Sequence, residues 1–134
     1  MNTKTRRLSV LVILSVCLAI LWGCGKGEKA ESSLPADVTI GAILPITGPA
    51  SVLGEFVRTG IIVATDEINA QGGINGRPLR VIIEDSKNDP KEAINVYRKL
   101  IASDKVSTVI SSMSGVSNAL VPLAENDRKV LFAT

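Results

Sequence analysis

Four short runs rich in β-branched residues, Val38–Leu44, Leu79–Glu84, Lys105–Ile110 and Val130–Ala133, are separated by stretches with helical periodicity. This alternation constrains the fold more than any other feature of the chain. The first run, VTIGAIL, is apolar throughout and does not alternate with polar residues. Such a strand is buried on both faces, as in a parallel sheet. Parallel neighbours need long crossovers, which are right-handed and usually helical. The order β-α-β-α-β-α-β therefore predicts an α/β fold, a partial doubly wound parallel sheet with helices on both faces.

The intervening segments carry their own start and stop signals. From about Ser51 to Asn69, Phe56, Ile61, Ala64 and Ile68 fall near one helical face, which Ile62 and Val63 widen. Gln71-Gly72-Gly73-Ile74-Asn75-Gly76 stops that helix and turns the chain, because glycine reaches positive φ without strain. Asp89-Pro90 opens the next helix, Asp89 as cap and Pro90 at the first helical position. Ala93, Val96, Tyr97, Leu100 and Ile101 then recur at helical spacing, so Tyr97 reads as core. A serine-rich loop, Ser111 to Ser117, precedes a short helix from about Ser117 to Glu125.

Ahead of this body lies a segment of another kind. Lys4, Arg6 and Arg7 precede an apolar run of 15 residues, Leu8–Trp22, that ends in Leu21-Trp22-Gly23-Cys24. The run is shorter than the roughly 20 residues that span a bilayer, and its plan is that of an export leader. Leu-Xaa-Gly-Cys after such a run resembles the bacterial lipobox, although Trp22 stands where a small residue is usual. The resemblance implies cleavage after residue 23, lipidation of Cys24 and anchoring to a membrane on the exported side, in the periplasm or at the cell surface. An uncleaved anchor, or secretion with an unmodified Cys24, gives the same pattern. Residues 24–37 are charged, small and Pro-containing, and read as a flexible tether. Residues 38–134 form the body.

Composition narrows the function. Setting aside Lys4, Arg6 and Arg7 leaves 12 of the 15 basic residues against 13 acidic ones, so the body is nearly neutral and lacks the basic face of a nucleic-acid binder. Histidine is absent, and with it the commonest general base and metal ligand. No catalytic residue, metal site or cofactor is expected. The glycines after the first helix precede a strand, the reverse of a nucleotide fingerprint. Glu84-Asp85 offers a pair of carboxylates, but a solvated loop margin is the simpler reading.

Open α/β sheets bind ligands beyond the carboxyl ends of their strands. After the first strand, Thr47 to Ser51 presents hydroxyls and bare backbone near a helix start. Thr47 there serves either as a turn-forming hydroxyl or as a ligand contact. After the third, Ser111, Ser112, Ser114 and Ser117 crowd a loop that opens onto a helix. Hydroxyls and helix N-terminal amides together suit a carboxylate.

The body also resembles the type I periplasmic (solute-)binding proteins, in the branched-chain amino-acid, leucine-binding-protein-like group of ABC transporters. The resemblance is carried by Ile40-Gly41 through Pro45-Ile-Thr-Gly-Pro49, Gly54-Glu55, Glu67-Ile-Asn-Ala-Gln-Gly-Gly-Ile-Asn-Gly-Arg77, Glu84-Asp85, Asp89-Pro90-Lys91-Glu-Ala93 and Val109-Ile110-Ser111. It implies the N-terminal part of lobe 1 of a two-lobed protein, about a third of a family member. Such a protein traps an amino acid or related small carboxylate or amide between its lobes and delivers it to an ABC permease. It further implies ligand contacts from Ser112, Ser114, Gly115 and Ser117, with Thr47 and Leu53 on the facing loop and helix. Gly115 occupies the place of a frequent ligand-binding serine, and Leu53 that of an aromatic. Asn88 and Ser114 replace a cystine that some members have. The same lobes serve ligand-sensing receptors and regulators, which remain an alternative, as does, more remotely, an exported enzyme.

Overall fold

A computed structural model describes residues 37–134; the expected leader (1–23), Cys24 with its lipidation, and the tether apart from Asp37 lie outside the described residues. Strands β1 (Val38–Leu44), β2 (Leu79–Asp85), β3 (Thr108–Ser111) and β4 (Val130–Ala133) alternate with helices α1 (Ser51–Ala70), α2 (Pro90–Ala102) and α3 (Ser114–Asp127). All pairings are parallel and the strand order is β2-β1-β3-β4. The expected α/β architecture is therefore present. Leu44 is level with Asp85 and Ile43 with Ser111, so the ends of β1, β2 and β3 lie side by side.

The main core fills one face of this sheet. Ile43 and Val109 from the strands meet Tyr97, Leu100, Val116 and Leu120 from α2 and α3, and all six are fully buried. Helix α2 earns its place twice. Asp89 accepts from the Lys91 amide at 2.7 Å with Pro90 at the first helical position, and Ala93, Tyr97 and Leu100 then fall on its buried side. Burial and the nearby charge of Asp127 push the Tyr97 phenol up to about 12. Its oxygen makes no hydrogen bond among the described residues, so Asp127 acts through its field.

Helix α1 covers the other face at β1 and β2, where Ile61 and Thr65 approach Val81 and Ile83. Its apolar stripe is wider than the surface it meets. Ile61 and Ile68 are half-buried, while Phe56, Ile62, Val63 and Ala64 are exposed. On the same face the outer side chains of β4, Val130 and Phe132, are exposed as well. Asn69 fixes the far end of α1, donating to the Leu79 carbonyl at 2.9 Å and accepting from the Leu79 amide at 2.7 Å. Gly73 then turns the chain at φ +75, and a Cβ there would stand 2.1 Å from the Arg77 carbonyl oxygen.

Two element starts differ from those read in the sequence. The third strand begins at Thr108 rather than Lys105, because Lys105 adopts φ +57 and the Val106 amide turns back to the Leu100 carbonyl at 3.1 Å. Helix α3 begins at Ser114 rather than Ser117. Met113, at φ +77, re-aims the chain directly from strand to helix, so most of the expected serine loop is a first helical turn.

Candidate functional site

The chain leaves β1 for β2 on one side and returns to β3 on the other. The carboxyl ends of β1 and β3 therefore flank the point where the winding reverses, the place where open sheets form a ligand crevice. Two segments meet there: the turn from Pro45 into α1, and the short link from Ser111 into α3.

Met113 caps α3 without a side-chain hydrogen bond. The earliest residue of the helix whose amide finds a carbonyl is Ser117, which donates to Met113 at 2.9 Å. The preceding amides, those of Ser114, Gly115 and Val116, are the orphan donors of a helix N-terminus and carry its partial positive charge. Ser114 and Gly115 are exposed, and nothing lies within 4 Å of where a Gly115 Cβ would sit.

The serines divide into two kinds. Ser111 and Ser117 are buried and share a hydrogen bond, Oγ to Oγ, at 2.7 Å. Ser117 thus faces inward and pins the first turn of α3 to β3, rather than facing a ligand as expected. Ser112 is 6% exposed and its hydroxyl has no partner among the described residues. A buried hydroxyl without a partner is costly, which marks Ser112 as a group awaiting one.

Across the crevice, Asp85 organises the turn after β1. Its Oδ1 accepts from the amides of Ile46 (2.9 Å), Thr47 (3.3 Å) and Lys87 (2.8 Å), and its Oδ2 from the Thr47 hydroxyl (2.5 Å). Burial, the largest single influence, raises the Asp85 carboxyl. The hydrogen bonds from the Thr47 hydroxyl and from the Lys87, Thr47 and Ile46 amides together outweigh it and hold the group below its ordinary 3.8. Asp85 is therefore a clasp, not the solvated margin read from the sequence. Glu84 is likewise engaged, accepting from Lys99 at 2.6 Å. Thr47 donates its proton to the clasp, so it acts first as a turn-forming hydroxyl. Leu53 lies on the first turn of α1, 54% exposed, and offers an apolar wall. The sequence signals for Asp85 were its place at a strand end and in one of the motifs that carry the family resemblance.

The clasp has a pH signature. The folded carboxyl titrates below the unfolded one, so its contribution to stability is complete above about pH 4 and is lost as the pH falls through the folded value. A carboxyl 13C titration of Asp85 is expected to give a midpoint below 3.8. A midpoint above that value contradicts the clasp.

Among the described residues no group of three or more Cys, Asp or Glu side chains stands close enough to hold a metal ion. The arrangement instead suits a small anion held by helix amides and a hydroxyl, with an apolar wall beside it.

Comparisons with known proteins bear on the family and the fold. The family described as periplasmic binding protein matches residues 37–134. A Leu/Ile/Val-binding protein homolog of Brucella abortus is 42% identical over 83 residues, covering 61% of this chain and 22% of that protein. The branched-chain amino acid transporter substrate binding protein of Streptococcus pneumoniae, solved in complex with isoleucine, superposes with a TM-score of 0.68 at 33% identity, over 73% of this chain and 29% of that one. A solute binding protein of R. palustris, solved with benzoate, gives a TM-score of 0.63 at 29% identity, over 72% of this chain and 27% of that one. The chain spans about a quarter of the length of the curated relatives it matches.

Proposed function

The chain belongs to the periplasmic binding protein family, in its type I branched-chain amino-acid group, and on that premise we propose that it supplies one wall of the ligand crevice of an ABC-transporter substrate-binding protein for amino acids. The observation that carries this reading is the uncapped start of α3 beside the unpartnered hydroxyl of Ser112. A ligand carboxylate placed there accepts from the exposed Ser114 and Gly115 amides and from Ser112. Charge-assisted hydrogen bonds of this kind are worth about 1.5–3 kcal/mol each. With glycine at position 115, the amide rather than a side chain makes that contact. Leu53 packs against the ligand's apolar part, and Thr47, held by Asp85, borders the crevice.

On this reading the ligand lies between this wall and a second lobe and passes to a permease. On the same reading the leader-like segment and Cys24 support a location on the exported side of a membrane, with the protein held there by a lipid anchor. The relatives are named as binding proteins, which supports binding rather than catalysis here.

Two serine variants test the reading. Ser112→Ala is expected to weaken leucine binding about tenfold, with stability unchanged or slightly raised because an unpartnered buried hydroxyl is removed. Ser117→Ala is expected to cost about 1–3 kcal/mol of stability, since it strands the Ser111 hydroxyl, and to change binding much less. The measurement is a leucine titration followed by amide NMR, with urea unfolding alongside. Equal effects of the two variants on binding contradict the assignment.

A further inference from the structure

The opposite end of the sheet carries a second polar hollow, roughly 20 Å from the crevice along the seven residues of β1. Asp37 and Thr39 at the start of β1, Arg77 before β2, and Asp104, Lys105 and Ser107 before β3 line a cavity of about 350 Å³. Two cations and two anions thus surround one space. None of them joins the ion pairs found among the described residues, which are Arg58–Glu55, Lys87–Glu92 and Lys99–Glu84.

Arg77 is held in place at this edge. Its Nη2 donates to the Asp37 carbonyl at 2.8 Å, and its backbone closes the turn with Ile74 through bonds of 2.8 and 3.1 Å. Its Nε is nevertheless buried without a partner, and so is Oδ2 of Asp104. One orphan is a cationic donor and the other an anionic acceptor, and buried charged groups are rarely left so. A simple anion would satisfy Arg77 and Lys105 but would stand beside two carboxylates. A simple cation would have the reverse fault.

We propose that this hollow binds a small zwitterion, its anionic group on Arg77 and Lys105 and its ammonium on Asp104 and Asp37. Two sources share that chemistry: a free α-amino acid, and the phosphoethanolamine headgroup of a lipid. The cavity volume lies at the small end of ligand pockets, which suits a molecule of this size. The proposal is independent of the crevice reading, because it uses none of the same residues.

The test follows the Nε–Hε NMR signal of Arg77 in the full chain, kept soluble in a non-ionic detergent. Leucine, glycerophosphoethanolamine, sodium phosphate and ethylamine are titrated separately. A saturable shift is expected with at least one zwitterion, at a concentration at least tenfold lower than with phosphate or ethylamine. A response to leucine identifies the free amino acid as source, and a response to glycerophosphoethanolamine the headgroup. Asp104→Asn and Lys105→Gln should each weaken the response at least tenfold while the amide signals of Val109 and Leu120 stay in place. The Gly115 amide reports the crevice in the same spectra, so the two sites are scored separately. An equal response to phosphate alone, or no response to either zwitterion, overturns the proposal.

Discussion

Gly54→Ala is expected to destabilise the folded chain by about 3 kcal/mol, the upper part of the usual range for overpacking a tight site. Gly54 lies in the first turn of α1 and is buried. A Cβ on it would stand 2.1 Å from the carbonyl oxygen of Pro45 and 2.7 Å from its carbon. Backbone, not a flexible side chain, is what it meets. Relief requires lifting the start of α1 off the turn that Asp85 and Thr47 hold, and that movement also opens the crevice wall at Leu53. The sign makes the result diagnostic, because alanine normally favours a helix over glycine by about 1 kcal/mol. Gly60 in the same helix supplies the control: nothing lies within 4 Å of its added Cβ, so Gly60→Ala is expected to stabilise by about 0.5–1 kcal/mol. Urea midpoints of the two variants should move in opposite directions. Movement in the same direction contradicts the close packing of α1 on Pro45.

Leu100→Ala is expected to cost about 3 kcal/mol, within the 2–5 kcal/mol found for such core truncations. Leu100 is fully buried beneath α2 and fills the space that Gly41 leaves open on β1. A Cβ at position 41 would stand 2.8 Å from Leu100 Cδ1 and 3.3 Å from Cδ2. Gly41→Ala alone is therefore expected to cost about 1–2 kcal/mol through strain at the leucine. In the double variant the added methyl occupies part of the cavity left by the truncation, so its cost should fall short of the sum by at least about 0.5 kcal/mol. Strict additivity contradicts direct packing of α2 on β1 at this point.

The fold was largely legible because its signals are local. VTIGAIL has the composition of a doubly buried strand, and β1 matches it residue for residue. Asp89-Pro90 is a helix start wherever it falls, and α2 begins there. The site was less legible because it depends on phase. Moving the start of α3 from Ser117 to Ser114 changes which serines point inward: Ser117 comes to pair with Ser111, and Ser114 and Gly115 become helix amides. That start is set by the positive φ of Met113, an uncommon conformation for the residue and one that no local sequence pattern announced. Asp85 was missed for a related reason. Its partners Ile46 and Thr47 lie 39 and 38 residues away, and only the parallel register of β1 with β2 brings them together. The wide apolar stripe of α1 was visible, but which part of it is covered depends on tertiary packing.

The most direct test of the crevice is a paired titration of the full chain with leucine and with leucinamide, which lacks the carboxylate. The amide signals of Ser114 and Gly115 should shift saturably with leucine, with a dissociation constant on the order of millimolar for a single wall, and at least tenfold more weakly with leucinamide. Equal responses to the two ligands, or shifts elsewhere that leave these two amides unmoved, would contradict carboxylate binding at the start of α3.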